Sequence, residues 1–194
     1  MDSDVIGSPF TQSDAFVLAF LTIDGLFSNW SAHQIDIWDQ HFATVEHAYQ
    51  YQKFADCDPA WAEQIKTAKS PWLAKCLARE RDSSLPGWRR RRRSIMRELL
   101  AAKIAQHTDV REALRSTGTR IIIEKGNPNE SYWGIGKDQN GQNVLGKLWM
   151  ELRQEQSRHP ADGIVQTSHG RRPTNQLERL RQKIVRTYRP RPWS

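Results

Sequence analysis

Cysteine is scarce in this chain of 194 residues, and long hydrophobic runs are missing. Cys57 and Cys76 are too far apart for a CxxC pair and too few for a disulfide framework or a thiolate zinc site, so we interpret them as reduced cytosolic thiols. The longest wholly apolar run, residues 15–21, has seven residues, whereas a membrane-spanning helix needs about 18 or more. No basic segment with a small-residue cleavage site precedes it. We therefore expect a cytoplasmic protein with no membrane span and no classical signal peptide.

Several common nucleotide, metal and hydrolase motifs are also missing. Residues 141–147 have the spacing of a P-loop, but Leu148 stands where a magnesium-binding Ser or Thr is required, which excludes a nucleoside triphosphatase. Residues 138–141 begin like a calcium loop, yet no glutamate closes it. The six histidines form no HExxH pair, and there is no GxSxG elbow. We expect neither a metal nor a cofactor.

The net charge of +7 is concentrated at the C-terminus. Residues 1–154 hold 20 basic and 19 acidic residues, whereas residues 155–194 hold nine basic and three acidic ones. The tail opens with a linker-like composition, after which Thr174 can cap a basic amphipathic helix. Such a helix suits an acidic partner, a nucleic acid or a membrane surface; alternatively, it packs on the domain and keeps its charges in water. We divide the chain into a domain, residues 1–154, and a basic tail, residues 155–194.

Helix signals dominate the domain. Thr44 can cap a helix that runs to about Phe54, and Asp58 and Ser70 each precede a proline at a first helical position. Apolar stripes predict further helices over residues 88–107, 109–117 and 144–154. Strand signals cover only residues 20–23, 34–38 and 120–124, and residues 125–142 are predicted to form a loop. This balance predicts a single compact α+β domain that is predominantly helical, with a few short strands.

A polar stripe on the first of these helices is the most informative feature. Glu46, Gln50 and Lys53 fall at i, i+4 and i+7, so a carboxylate, an amide and an amine share one face. The position of Glu46 in the first turn favours its ionised form. Two interpretations remain open: the stripe faces a cleft, or it is an ordinary solvated helix face.

Arginine and tryptophan are both abundant. The five arginines at positions 89–93 point in all directions if they are helical, so we interpret the run as a solvated, partly salt-bridged turn. Most of the eight tryptophans are expected in the core. Trp30, Trp88 and Trp133 lie beside loops, where they are better placed to stack on a heterocyclic ring.

Three ordered motifs resemble one known family. Residues 27–30 (FSNW), residues 44–54 (TVEHAYQYQKF) and residues 132–147 (YWGIG to GQNVLGK) are similar to the signatures of the YbiA-like, or NADAR, family. The match runs in order from about residue 24 to residue 153 and leaves the tail uncovered. Two positions depart from the pattern: Trp30 replaces a phenylalanine, and Ile135 stands where some members carry an acidic residue.

The resemblance implies a YbiA-like fold and an N-glycosidase that cleaves a ribosyl C–N bond. The leading hypothesis is hydrolysis of the first two, phosphoribosylated aminopyrimidine intermediates of riboflavin biosynthesis, with release of ribose 5-phosphate. A second is removal of ADP-ribose from guanine, including in nucleic acid, to which the basic tail would bind. A third is a non-catalytic ADP-ribose or nucleotide-binding module. The expected partner is thus a small phosphoribosylated molecule, with nucleic acid as the alternative.

The implied chemistry gives the candidate residues their roles. Glu46 would stabilise the positive charge at the ribosyl C1 or transfer a proton, and Lys53 would form a Schiff base with the opened sugar, with Lys103 the second choice. The remaining candidates would bind substrate: the ribose or phosphate oxygens through Asn29, Gln50 and Asn143, the phosphate through Arg79, and the base through Trp30, Trp88 and Trp133.

Overall fold

The computed structural model describes residues 16–19, 25–81, 87–125 and 129–158. Within these ranges helices predominate and strands are short, which confirms the predicted α+β class. The elements in chain order are β1 (Phe16–Ala19), β2 (Ile35–Ile37), β3 (Gln40–Phe42), α1 (Val45–Tyr51), α2 (Pro59–Lys66), α3 (Pro71–Glu80), α4 (Trp88–Gln106), α5 (Thr108–Ser116), β4 (Ile121–Glu124) and α6 (Val144–Arg158).

The first three helices begin at the predicted capping residues. The side chains of Thr44, Asp58 and Ser70 each accept a hydrogen bond from the backbone N–H three residues later, at 3.3, 3.1 and 3.1 Å. Each bond satisfies one of the N–H groups that the start of a helix leaves without a partner. The local sequence therefore fixes where α1, α2 and α3 start.

The strands form two separate pairs. β2 and β3 make an antiparallel hairpin with Ile35 opposite Phe42, and both turn residues, Trp38 and Asp39, have positive φ as a type I′ turn requires. The sequence did not predict β3, which carries a single apolar residue. β1 pairs in parallel with β4, from Phe16 opposite Ile121 onward. The strand predicted over residues 20–23 falls outside the described residues, and the described strand lies just before it.

The core is built around α4, which packs against α1, α5, α6 and β2. The apolar stripe predicted for this helix is buried there, including Met96, Leu99 and Leu100. On α6, Trp149 packs against Phe27 with ring centroids 5.1 Å apart, and its Nε1 donates to the carbonyl of Phe27 at 3.2 Å. The loop formed by residues 25–31 is therefore held between α4 and α6.

Lys103 of α4 also holds this loop. Its ammonium group donates to Leu26 O at 2.6 Å, Ser28 O at 2.8 Å and Ser31 Oγ at 2.6 Å, in a side chain that is 1% exposed. These three bonds use all the donors that a lysine has. The loop is consequently fixed relative to α4 at the point where it presents Asn29.

The segment between β4 and α6 fits closely against the end of β4. Asn143, in a left-handed conformation with φ of 50°, donates from its amide to Ile122 O and accepts from the N–H of Glu124, both at 2.9 Å. A Cβ atom at Gly146 would lie 2.1 Å from Ile122 O, so α6 approaches β4 as closely as only glycine allows. This packing fixes the strand end that carries Glu124.

The last helix is longer than the sequence predicted. α6 continues to Arg158, its residue Gln156 is buried, and Glu155 pairs with Arg97 of α4. The helix predicted in the basic tail lies outside the described residues. Among the residues the structure describes, no helix is both long and apolar enough to cross a membrane.

Candidate active site

The polar stripe of α1 is buried rather than solvated. Glu46 is 5% exposed and Gln50 is 4% exposed, and Gln50 Nε2 donates to Glu46 Oε1 at 2.7 Å. The N–H of Glu46 donates to Asn29 O at 3.0 Å, which joins the start of α1 to the loop of residues 25–31. Of the two interpretations of the stripe, the solvated face is wrong, and the stripe lines a cleft.

A cavity of about 230 Å³ opens beside this stripe. Four parts of the fold that are distant in sequence meet there: the loop before α1, the α1 region, the facing sides of α3 and α4, and the segment from β4 to the start of α6. The lining residues are Asn29, Glu46, Tyr49, Gln50, Lys53, Lys75, Arg79, Trp88, Arg92, Met96, Glu124, Glu130, Trp133, Gly134 and Leu145.

Lys53 lies two residues beyond the end of α1, and its side chain reaches the cavity over aromatic rings. Its Nζ is 5.4 Å from the ring centroid of Tyr49 and 5.8 Å from that of Trp88. Burial lowers the pKa of Lys53 to about 8, an effect that the Glu46 carboxylate opposes and that the nearby cations on α3 reinforce. Close to neutral pH, part of the Lys53 population is therefore a neutral amine, the form that can act as a nucleophile.

Aromatic side chains form one wall of the cavity. Tyr49 packs edge-on against Trp133 at 5.6 Å and at a tilt against Trp88 at 5.2 Å between ring centroids. Burial, together with the Glu46 carboxylate, raises the pKa of Tyr49, so its phenol stays protonated at physiological pH. Flat apolar surfaces of this kind suit the face of a heterocyclic base.

Two further carboxylates accompany Glu46. Glu124, at the end of β4, is 5% exposed and borders the cavity. Glu130 Oε1 accepts from the N–H groups of Tyr132 and Trp133 at 3.2 and 3.4 Å. Glu130 therefore fixes the turn that presents Trp133. Together, Glu46, Glu124 and Glu130 place carboxylates on more than one side of the cavity.

Two amide side chains present acceptor oxygens at the cavity. Asn29 Oδ1 and Gln50 Oε1 are buried, and no group in the described part of the chain donates a hydrogen bond to them. Buried acceptors usually have a donor, because an unsatisfied one costs about 1–3 kcal/mol. A ligand carrying hydroxyl groups would supply those donors.

The comparison with known proteins identifies the fold family. A family model for the NADAR domain matches residues 16–156. The chain belongs to the NADAR family. It is 41% identical to an N-glycosidase of Nostoc punctiforme over 133 residues, covering 68% of this chain and 85% of the relative. It is 35% identical to N-glycosidase YbiA of Escherichia coli over 147 residues, covering 74% and 90%.

The solved structure of that YbiA shows the same fold. It superposes with a TM-score of 0.69 at 30% identity, covering 80% of this chain and 92% of YbiA. A larger relative is the chloroplastic riboflavin biosynthesis protein PYRR of Zea mays, which is 33% identical over 147 aligned positions; the alignment covers 69% of this chain and 23% of that protein. The predicted resemblance and YbiA-like fold are both confirmed.

Most of the residues singled out in the sequence meet at the cavity. Seven of the ten line it, and their chemical roles remain predictions: Glu46, Lys53, Asn29, Gln50, Arg79, Trp88 and Trp133. The structure does not bring the other three there. Trp30 packs against Trp72 of α3, Lys103 is bonded to the loop of residues 25–31, and Asn143 is bonded to β4. These last two polar groups serve the fold, since their partners are backbone and buried hydroxyl atoms.

Sequence reasoning missed five polar or aromatic lining residues: Tyr49, Lys75, Arg92, Glu124 and Glu130. Tyr49 lies within the motif of α1 and Glu124 ends a predicted strand, so both carried a local signal. Arg92 was hidden in a run interpreted as solvated, and that interpretation is wrong for this one residue. Lys75 and Glu130 become neighbours of the site only through tertiary packing.

One group of side chains away from the cavity could offer ligands to a metal ion. Ligand atoms of His33, His107 and Asp109 lie within 4.8 Å of one another. However, His33 already bonds through Nδ1 to Ser31 Oγ and through Nε2 to Asp109 Oδ2, both at 2.9 Å. Through these two hydrogen bonds, His33 links the loop of residues 25–31 to α5, which explains why the three side chains lie close together.

Proposed function

We propose that this NADAR protein is a cytoplasmic N-glycosidase that hydrolyses the ribosyl C–N bond of the first two, phosphoribosylated aminopyrimidine intermediates of riboflavin biosynthesis. The observation that carries the proposal is the buried Glu46 carboxylate, which shares a small cavity with the Lys53 amine. Two of its relatives are named as N-glycosidases, and a third is named as a riboflavin biosynthesis protein. The two cysteines, Cys57 and Cys76, are free thiols, as suits a reducing compartment.

Glu46 is suited to the first chemical step. When the C–N bond breaks, its electron pair leaves with the heterocyclic amine and positive charge develops at the ribosyl C1. A carboxylate held by Gln50 and by the start of α1 stabilises that charge without reorganising, because its position is fixed before the substrate arrives. Glu46 also lies in the first turn of α1, at the positive end of the helix dipole.

Lys53 provides a covalent route for the same reaction. An N-ribosyl amine can open to an imine, and the neutral Lys53 amine then adds to C1. The heterocyclic amine leaves with a proton, and a lysine–sugar Schiff base remains. Water adds to that Schiff base, releases ribose 5-phosphate and restores the free lysine. No outside oxidant or reductant is needed.

The rest of the cavity accounts for substrate binding. Trp88 and Trp133 present aromatic surface for the base, and the side-chain oxygens of Asn29 and Gln50 would accept hydrogen bonds from the sugar hydroxyls. Arg79 of α3 lies at the cavity edge, where its charge can meet the phosphate.

Replacement of Glu46 tests the assignment. We expect Glu46→Gln to fold normally and to release ribose 5-phosphate about 10²-fold more slowly or worse, because an amide cannot stabilise the cationic transition state. Glu112→Gln, on the exposed face of α5, is the matched control and should behave as wild type. Near wild-type turnover by a folded Glu46→Gln protein would remove Glu46 from the mechanism.

A second function, hydrolysis of ADP-ribosyl-guanine, is favoured by the basic tail. Residues 155–194 carry a net charge of +6, which would assist binding to nucleic acid. The purified protein should therefore be assayed side by side against a phosphoribosyl aminopyrimidine and ADP-ribosyl guanosine. Faster release of ribose 5-phosphate from the first supports the proposal, whereas faster release of ADP-ribose from the second overturns it.

A further inference from the structure

The arginine run at the start of α4 contains one member that behaves differently from its neighbours. Arg91 pairs with Asp56 at 3.5 Å and Arg93 with Glu151 at 2.6 Å, both at the protein surface. Arg92 instead lines the cavity. The fold has therefore separated one cation from a run of five and turned it towards the site.

The guanidinium of Arg92 is held by an aromatic ring. Its central carbon lies 3.3 Å from the ring centroid of Tyr132, the contact distance of two stacked planes. Tyr132 is in turn fixed, because its N–H donates to Glu130 and its carbonyl accepts from Val144. The charged group is thus preorganised and does not need to be ordered by a ligand.

The Tyr132 ring lies over the guanidinium carbon, whereas the N–H donors of a guanidinium are at its edges. Arg92 Nε is buried, and no hydrogen-bond acceptor meets it within the described ranges. Within the same ranges no carboxylate forms a salt bridge with Arg92, in contrast to Arg91 and Arg93. A buried donor edge on a fixed positive charge is suited to an anionic ligand, and the planar fork of arginine matches phosphate oxygens.

The cation of Arg92 stands apart from those of α3. Lys75 and Arg79 act electrostatically on Lys53, whereas Arg92 acts on Tyr49, towards the Tyr132 side of the cavity. Arg79 is exposed and Lys75 lies over the ring of Trp30 at 5.8 Å. Arg92 is therefore a better shielded anion-binding position than the edge residues on α3.

We propose that Arg92, rather than the exposed Arg79 at the cavity edge, binds the phosphate group of the substrate, so that the enzyme selects phosphorylated ribosides over their dephosphorylated counterparts. This rests on the proposed function for the identity of the substrate. It adds a specificity-determining residue at the same cavity, one that acts by binding and not at the reacting C–N bond.

The test compares variants on a matched pair of substrates. Arg92→Gln should raise KM about 10-fold or more for the phosphoribosyl aminopyrimidine while kcat changes little, since a contact remote from the broken bond contributes equally to ground and transition states. On the dephosphorylated riboside, Arg92→Gln and wild type should be equal. Arg89→Gln, an exposed member of the same run, should match wild type on both substrates.

Two results would overturn the proposal. One is an unchanged KM of Arg92→Gln for the phosphorylated substrate. The other is an equal loss on both substrates, which would show that Arg92 only supports the loop around Tyr132. Arg92→Lys should recover part of the KM change, because it restores the charge without the planar fork.

A binding measurement separates this proposal from the proposed function. If wild type cleaves neither substrate, the catalytic proposal fails, and titration with ribose 5-phosphate still tests Arg92. Binding should weaken about 10-fold or more in Arg92→Gln and stay unchanged in Arg89→Gln. Equal affinity in all three proteins would reject the phosphate site.

Discussion

Gly146→Ala is the sharpest test of how the fold builds the site. In an exposed helix this exchange stabilises a protein by about 1 kcal/mol, because alanine is the better helix former. At Gly146 the new Cβ would lie 2.1 Å from Ile122 O and 2.6 Å from Asn143 Oδ1. Carbon and oxygen atoms in ordinary contact are about 3.3 Å apart or more. The structure therefore predicts the opposite sign.

The magnitude follows from what must move. Relieving an overlap of about 1 Å requires α6 to separate from β4, and overpacking of this kind costs about 1–3 kcal/mol. The shift also strains the two bonds from the Asn143 amide to β4, each worth about 1 kcal/mol. After the helix-propensity gain, we expect a net loss of about 2–4 kcal/mol in the free energy of unfolding, which corresponds to a Tm about 10 °C lower.

Urea unfolding followed by tryptophan fluorescence measures this loss. Gly118→Ala is the matched control: a Cβ there meets nothing within 4 Å, but the backbone has φ of 58°. That variant should lose only about 1–2 kcal/mol, the cost of a left-handed alanine. If Gly146→Ala is as stable as wild type, or more stable, then α6 does not approach β4 as described and the placement of Glu124 is wrong.

Two further predictions concern the amine and the tail. Borohydride added during turnover should reduce the Schiff base and leave the sugar covalently attached to Lys53. The trapping rate should rise with pH up to about 8 and then level off, because the neutral amine reacts and burial has lowered the pKa of Lys53. Peptide mass mapping that finds the adduct on another lysine, or on none, would contradict the assignment. Removal of residues 159–194 should leave turnover of the small substrate nearly unchanged; strong, salt-dependent DNA binding by the truncated protein would instead favour the guanine hypothesis.

Local signals accounted for much of the fold. The caps at Thr44, Asp58 and Ser70 and the apolar stripe of α4 depend on residues close in sequence, and all were found as predicted. β3 and the extension of α6 to Arg158 were missed. A three-residue strand with one apolar side chain has no periodicity to detect, and the last turn of α6 is stabilised partly by a partner on α4.

The site was less predictable because helical spacing does not reveal what faces a polar stripe. Glu46 and Gln50 are buried because α2, α3 and α4 pack against α1. Lys103 and Asn143 look like ligand-binding groups in sequence, yet their partners are main-chain atoms and, for Lys103, also the Ser31 hydroxyl, all brought near by tertiary packing. For Arg92 the sequence prediction failed in the opposite way: it was interpreted as solvated, but it lines the cavity. Five adjacent identical residues give no indication of which one points inward.

The parallel pairing of β1 with β4 has a consequence for how the chain folds. Phe16 and Ile121 face each other although 105 positions separate them, and all the helices from α1 to α5 lie between. Closing so long a loop costs entropy that only later contacts repay, whereas the helices and the β2–β3 hairpin form from neighbours. We therefore expect β1 to dock late in folding. A nascent chain would then bring together α1, α3 and α4 first, and β1 would pair only after β4 has been synthesised.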